Sequence, residues 1–348
     1  MEINITDWGT TPEGDEIKLF TITGASGNSV SFTNYGATWV SASTPDRNGV
    51  KDDVISGFND LQGYLDDSCY MGVTVGRFAN RIKNGTFTID GKKYQAGLNA
   101  AGKHCLHGGF EGLNRRAWDY ETISDGVIFR TVSPDGDQGF PGELKVSVRY
   151  EWNDDNKLAI TFEAETDKPT PVNLTNHAYF NLRGSGDILG HRLKIHAVDY
   201  LLFEEDCIIS GEIKPVKGTP FDFTHFKEIG QDVDTDDEQI AMGRGYDHSF
   251  LIKTVDDGKS VLIAEACDPE SGRAMKMYGT YPTVHLYTSN FLTSTRPGKK
   301  GKNHDKREAF CLEAQYAPNS PNLPDFPSCI LYPGRKYEHR IEVEFLIK

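Results

Sequence analysis

Apolar and polar residues alternate with a period of two along much of this chain, and helical periodicity is scarce. Between 144 and 152, Leu144, Val146, Val148, Tyr150 and Trp152 share one face, while Lys145, Ser147, Arg149 and Glu151 share the other. Leu158, Ile160, Phe162 and Ala164 repeat the pattern after the turn-forming run Asn153 to Asn156, which predicts an antiparallel hairpin. Asp90-Gly91 and Asp125-Gly126 sit between β-rich runs and suit turns with positive φ. Tyr337, His339, Ile341, Val343, Phe345 and Ile347 mark a further strand near the end. A short helix is predicted near Asp60 to Asp66, where Leu61, Tyr64 and Leu65 share a face behind an Asn59 or Asp60 cap.

Many strands with close turns and almost no crossover helices predict an all-β fold, a single large antiparallel β-sandwich with few short helices. No repeat or linker interrupts it, so residues 1–348 are expected to form one domain. The Pro-rich stretch from Pro318 to Pro333 carries Phe326, Ile330 and Leu331, which suit a packed return loop rather than a boundary.

Three stretches depart from ordinary half-buried strands. In 171–182, Leu174, Ala178, Phe180 and Leu182 lie opposite Asn173, Thr175, His177, Tyr179 and Asn181, a row of uncharged hydrogen-bonding groups that can hold sugar hydroxyls. In 310–315, Cys311, Glu313 and Gln315 lie opposite Phe310, Leu312 and Ala314. Thr283, His285, Tyr287 and Ser289 likewise oppose Val284 and Leu286. Together these polar faces are expected to line one concave groove.

Composition narrows the partners. A formal charge of −14, from 51 acidic against 37 basic residues, repels nucleic acid and anionic membrane surfaces. The six cysteines form no CxxC pair and read as free thiols of a reducing cytosol. No stretch approaches the roughly 18 apolar residues of a membrane span, and the first residues lack a signal-peptide pattern. The expectation is a soluble cytoplasmic protein with a small-molecule partner, as a monomer or a homodimer.

Several runs become recognisable as a set: GRFANRI at 76–82, LHGG at 106–109, SPDGDQGFPGE at 133–143, TNHAYFNL at 175–182, GYDHSF at 245–250, YTSNF at 287–291 and FCLEAQYAPNSPN at 310–322. In this order, over nearly the whole chain, they resemble the galactose mutarotase (aldose 1-epimerase) family. The resemblance implies a β-supersandwich whose concave face binds a monosaccharide without metal or cofactor. By motif, His177 matches the family's general acid and Glu313 its general base. Asn80, Arg81, His107 and Asp247 match its substrate-binding groups. His285 stands where many members have Gln, and a neutral imidazole there still donates one hydrogen bond and accepts one.

The implied chemistry is compact. The C1 hydroxyl of an aldopyranose loses its proton as the ring oxygen gains one, the ring opens, and rotation about C1–C2 before reclosure gives the other anomer. That requires one acid and one base, expected on opposite sides of the C1 to ring-oxygen unit. Four rival readings remain. A glycosidase needs two carboxylates, with Asp247 a poorer partner for Glu313. A metal enzyme would draw on His107, His177 and His285, which have no short-spacing ligand motif. A non-catalytic sugar-binding protein would keep the groove alone. A hexose-phosphate epimerase would want a basic cluster such as Arg115-Arg116 or Lys299-Lys300, which read more simply as solvated loop charges.

Overall fold

The computed structural model describes residues 1–253 and 258–348. The alternating runs become the paired strands Leu144–Trp152 and Lys157–Thr166, in a register that sets Val148 opposite Phe162 and Tyr150 opposite Ile160. Among the described residues they lie within a nine-stranded antiparallel sheet. Its spatial order is Asp119–Ile123, Gly126–Ser133, Leu144–Trp152, Lys157–Thr166, Tyr337–Ile347, Arg273–Gly279, Val261–Cys267, Arg192–Ile195 and Lys227–Glu228. The strand near the C-terminal end thus sits at its centre.

Two five-stranded sheets supply the facing layer. One runs in chain order through Glu2–Thr10, Glu16–Thr23, Ser29–Thr33, Thr38–Pro45 and Lys51–Asp53. The other is ordered Ile208–Pro215, Asp199–Glu204, Asp247–Leu251, Thr283–Tyr287 and Cys311–Gln315. Phe180 joins them by bridging Ile55 on one side and Phe310 on the other. Phe20, Phe32 and Trp39 from the first sheet and Val284, Leu286 and Leu312 from the second share one buried cluster with Val148, Tyr150, Phe162 and Val343 of the nine-stranded sheet. Each such apolar side chain, fully buried, contributes about 1.5–3 kcal/mol. The all-β sandwich expected from the alternation is therefore the fold observed.

Asp60 caps the helix Leu61–Leu65 by accepting from the Gly63 amide at 2.9 Å. A second helix, Glu238–Gly243, was not expected, because so short an apolar stripe leaves no readable period. Among the described residues no helix is long and apolar enough to cross a membrane. Asp90 and Gly91 both adopt positive φ between paired Ile89 and Lys92, as expected. The second turn differs: Ile123 pairs with Gly126, so Ser124 and Asp125 make the turn and Gly126 opens the next strand. Glycine is required there because a Cβ would lie 1.9 Å from the Tyr150 carbonyl oxygen. In the Pro-rich stretch Leu331 is buried and Phe326 packs against Leu201, Phe203 and Ile209, the arrangement of a packed return loop.

The segment 171–182 is not one strand. Only Thr170–Pro171 and Thr175–Asn176 pair regularly, and the remainder crosses between the sheets. Three members of its polar row, Asn173, Thr175 and Asn181, are buried and turned to main chain, while His177 and Tyr179 face a cleft. Asn173 donates to the carbonyls of Ala79 and Tyr316, Thr175 to that of Ala314, and Asn181 to those of Gly186 and Glu308. These residues satisfy main chain that a crossing segment leaves unpaired.

Arg77 plays the same part on a larger scale. Its buried guanidinium donates to Ser133 Oγ (2.8 Å) and to the carbonyls of Ser133 (2.8 Å), Pro134 (2.7 Å) and Pro141 (3.0 Å). Burial lowers its pKa to about 10, so it stays charged at neutral pH. The loop 133–143 is thereby fastened to the segment that carries Asn80 and Arg81. Arg77→Met should strand these acceptors and lower stability on the order of 3 kcal/mol. Urea unfolding checks this, with a lower midpoint and an unchanged m-value expected.

Candidate active site

Strand register builds one wall of the site. Asp247 pairs with Tyr287, Ser249 with His285, and His285 in turn with Glu313. Opposed residues in an antiparallel sheet point to the same face, so Asp247, Ser249, His285, Tyr287, Cys311 and Glu313 form two adjacent rows on it. The three polar faces anticipated from the sequence do meet, although His177 arrives on the crossing segment rather than on a strand of this sheet.

His177 is fixed by main-chain bonds to Gly72 and Val73. Its Nε2 lies 3.6 Å from Glu313 Oε1, with both side chains buried. The imidazole and the carboxylate therefore stand side by side. The Tyr179 ring stacks on the imidazole at 5.0 Å, with Tyr70 nearly parallel at 6.2 Å. Among the described residues Glu313 Oε2 has no hydrogen-bond partner. A buried acceptor left in this state costs about 1–3 kcal/mol, which a ligand hydroxyl would recover.

The opposite wall comes from two turns. Arg81–Ile82 pairs with Cys105–Leu106, and Gly108 passes so close to Gly76 that a Cβ would lie 2.0 Å from its carbonyl oxygen. Asn80 and His107 both take positive φ there. The Asn80 backbone N–H donates to His107 Nδ1 at 3.2 Å, so a neutral His107 carries its hydrogen on Nε2 and presents a donor. Burial, reinforced by the neighbouring His177, Arg81 and His285, pushes the His107 pKa well below its ordinary value.

His285 bonds Ser249 Oγ through Nδ1 (2.8 Å) and Asp247 Oδ1 through Nε2 (2.7 Å), with Asn80 Nδ2 3.5 Å from the same Nε2. An ionised Asp247 accepts from Nε2–H, which leaves Nδ1 to accept from the serine hydroxyl. Ser249 was missed from the sequence, though its place two residues after Asp247 puts it on the same face. Tyr70, which has positive φ in a turn, offered no periodic signal at all.

The resulting cleft has a volume of about 280 Å³ and is lined by Asn80, Arg81, His107, His177, Asp247, His285 and Glu313. The seven residues given acid, base or substrate-binding roles from the sequence are thus brought together, with Tyr70, Tyr179, Tyr287 and Phe291 beside them. The three histidines considered as a ligand set do not converge. Donor atoms of His107, His177 and Glu313 lie within 4.8 Å of one another, whereas His285 is engaged by Ser249 and Asp247.

A larger cleft of about 740 Å³, lined in part by Asp53, Asn181, Lys299 and Lys300, shares no residue with this one. Of the basic pairs, Arg115 and Lys300 are exposed loop charges, as the sequence suggested, whereas Arg116 and Lys299 are partly buried. Lys299 bonds Asp53 at 2.7 Å, Lys300 bonds Asp52, Arg116 bonds Asp137 at 2.8 Å, and Arg115 donates to the Asp67 carbonyl at 3.1 Å. Each of the four has an acidic or carbonyl partner, and none lines the smaller cleft.

Comparison with known proteins agrees with this geometry. The sequence profile of the family described as aldose 1-epimerase matches residues 18–344. The chain is 42% identical to galactose mutarotase of Rattus norvegicus over 320 residues, 91% of each chain. It is 38% identical to aldose 1-epimerase of Escherichia coli (strain K12) over 339 residues, 96% of this chain and 97% of that one. The crystal structure of an aldose epimerase homologue from C. elegans superposes with a TM-score of 0.86 at 33% identity, covering 94% of this chain and 98% of the other. That of galactose 1-epimerase from Lactobacillus acidophilus gives 0.85 at 27% identity, covering 99% of both. A sandwich with these motifs in this order, matched from end to end, belongs to the aldose 1-epimerase family.

Proposed function

We propose that this aldose 1-epimerase interconverts the α and β anomers of free aldohexoses such as galactose and glucose, with His177 as general acid and Glu313 as general base. The carrying observation is the 3.6 Å separation of His177 Nε2 and Glu313 Oε1 inside a cleft of monosaccharide size. The hydroxyl oxygen and the ring oxygen of an aldopyranose are both bonded to C1, so two neighbouring side-chain atoms can reach one each. Ionised Glu313 takes the proton from the C1 hydroxyl while the His177 imidazolium delivers one to the ring oxygen. The C1 to ring-oxygen bond breaks, the aldehyde turns about C1–C2, and reclosure runs the same transfers in reverse.

The surrounding groups suit this reading. Neutral His107 and cationic Arg81 donate toward the ring oxygen or adjacent hydroxyls and steady the charge developing there. Asp247, oriented by His285, accepts from sugar hydroxyls and fixes the ring. Names of relatives such as the rat galactose mutarotase support galactose as a substrate. A free sugar is favoured over a phosphorylated one because Arg115, Arg116, Lys299 and Lys300 already have partners. We read residues 1–348 as one domain acting without a resident metal or cofactor.

Glu313→Gln or His177→Asn should lower kcat roughly 10²- to 10⁴-fold, the usual scale for one acid or base. Polarimetry of fresh α-galactose and α-glucose measures this, and wild-type rates in both variants would refute the assignment. Activity should fall on the acid side as the base is lost and on the alkaline side as the acid is lost. His107, held neutral, should contribute to neither limb, so His107→Gln should raise KM without moving them. His285→Gln retains a donor for Asp247 and an acceptor for Ser249, and should change KM less than about tenfold. His285→Ala, which frees Asp247, should raise KM by roughly 10- to 100-fold while kcat changes less.

A further inference from the structure

We propose that Cys311 is a positioning residue for His177, its sulfur holding the Nδ1 edge of the imidazole so that Nε2 alone serves the reacting oxygens. The proposal rests on the reading of His177 as general acid. Sγ of Cys311 lies 3.5 Å from His177 Nδ1, within the range of hydrogen bonds to sulfur, and Cys311 is fully buried. Among the described residues Nδ1 has no other hydrogen-bond partner.

Strand geometry makes the contact specific. Cys311 and Glu313 are two residues apart on Cys311–Gln315 and therefore share a face. One meets the rear edge of the imidazole and the other its front edge, so a single strand sets both the tilt of the ring and its distance from the base. A slip or twist of that strand would move both contacts together.

The choice of sulfur has a chemical consequence. Burial, followed by the negative charges of Glu313 and Asp247, pushes the Cys311 thiol well above its ordinary pKa and keeps it neutral. During turnover Nε2 loses and regains its proton while Nδ1 keeps its own, so Sγ acts as the acceptor throughout. A neutral sulfur is a weak acceptor. It orients the ring without holding the imidazolium as tightly as a carboxylate would, and so leaves the acid able to release its proton. The other titratable groups facing His177 are Glu313, His107, Tyr70, Tyr179 and Tyr287, with the buried Asp67 also sensing its charge. None of these is altered in the variants below.

The test is the pH profile of kcat for Cys311→Ser and Cys311→Val, with nitrogen-15 NMR of the His177 ring in each protein. Serine oxygen is the stronger acceptor and should move the alkaline limb upward by about half to one pH unit. Valine fills the space without a lone pair. It should move the limb downward by a similar amount and lower kcat roughly tenfold, with KM nearly unchanged. A packing role alone would leave the limb and the Nδ1 resonance of both variants at their wild-type positions, and that result would overturn the proposal. His177→Asn separates the two readings. Full activity in that variant would remove the acid assignment and this proposal with it. An inactive His177→Asn with unmoved limbs in both Cys311 variants would remove this proposal alone.

Discussion

The pairing of Thr283–Tyr287 with Cys311–Gln315, in the register that sets His285 opposite Glu313, is the constraint on which the site depends. A slip of one residue would turn Glu313 and Cys311 into the hydrophobic core and bring Leu312 into the cleft. Val284, Leu286, Leu312 and Ala314 oppose such a slip because each is buried against the nine-stranded sheet's apolar face. The same apolar burial that stabilises the sandwich therefore fixes the chemistry on its other side. The placement of Glu313 and His285 is inherited from the packing of the residues between them.

A buried polar site is expensive to build, since every buried donor or acceptor needs a partner. Much of the recognisable sequence turns out to serve that requirement. Arg77 satisfies the loop 133–143, and Arg307 gathers Thr288, Asn290 and the Arg244 carbonyl beneath the strand end that carries Asp247. Asn290 also donates to the carbonyls of Gly243 and Tyr246. Within a single motif, then, neighbouring residues divide between holding main chain and facing the cleft, as Thr288 and Tyr287 do.

That division explains what could be read in advance. The strand pairs and the sandwich were legible because period-two alternation is a local property, written into every half-buried strand. Glu313 and His285 were legible because a carboxylate and an imidazole among apolar neighbours need a reason to be there. The polar row of 171–182 misled in part, since Asn173, Thr175 and Asn181 look like ligand-binding groups until the unpaired carbonyls they serve are seen. Contacts across long stretches of chain had no local trace. Cys311 and His177 are separated by 134 positions, and Arg77 reaches Ser133 across 56. Composition implied a solvated fate for Lys299 and Lys300, which holds for exposed Lys300, whereas tertiary packing drew Lys299 in against Asp53.

The closeness of Nε2 and Oε1 has one more consequence. In the proposed reaction either anomer presents the same pair of oxygens on one carbon to the same pair of side-chain atoms, so neither form is privileged. Both barriers fall together, and the equilibrium between the two forms stays where water alone would put it. Such a protein sets no direction for the flow of sugar. It keeps the pool evenly replenished, and the direction comes from whichever neighbouring reaction withdraws one of the two forms.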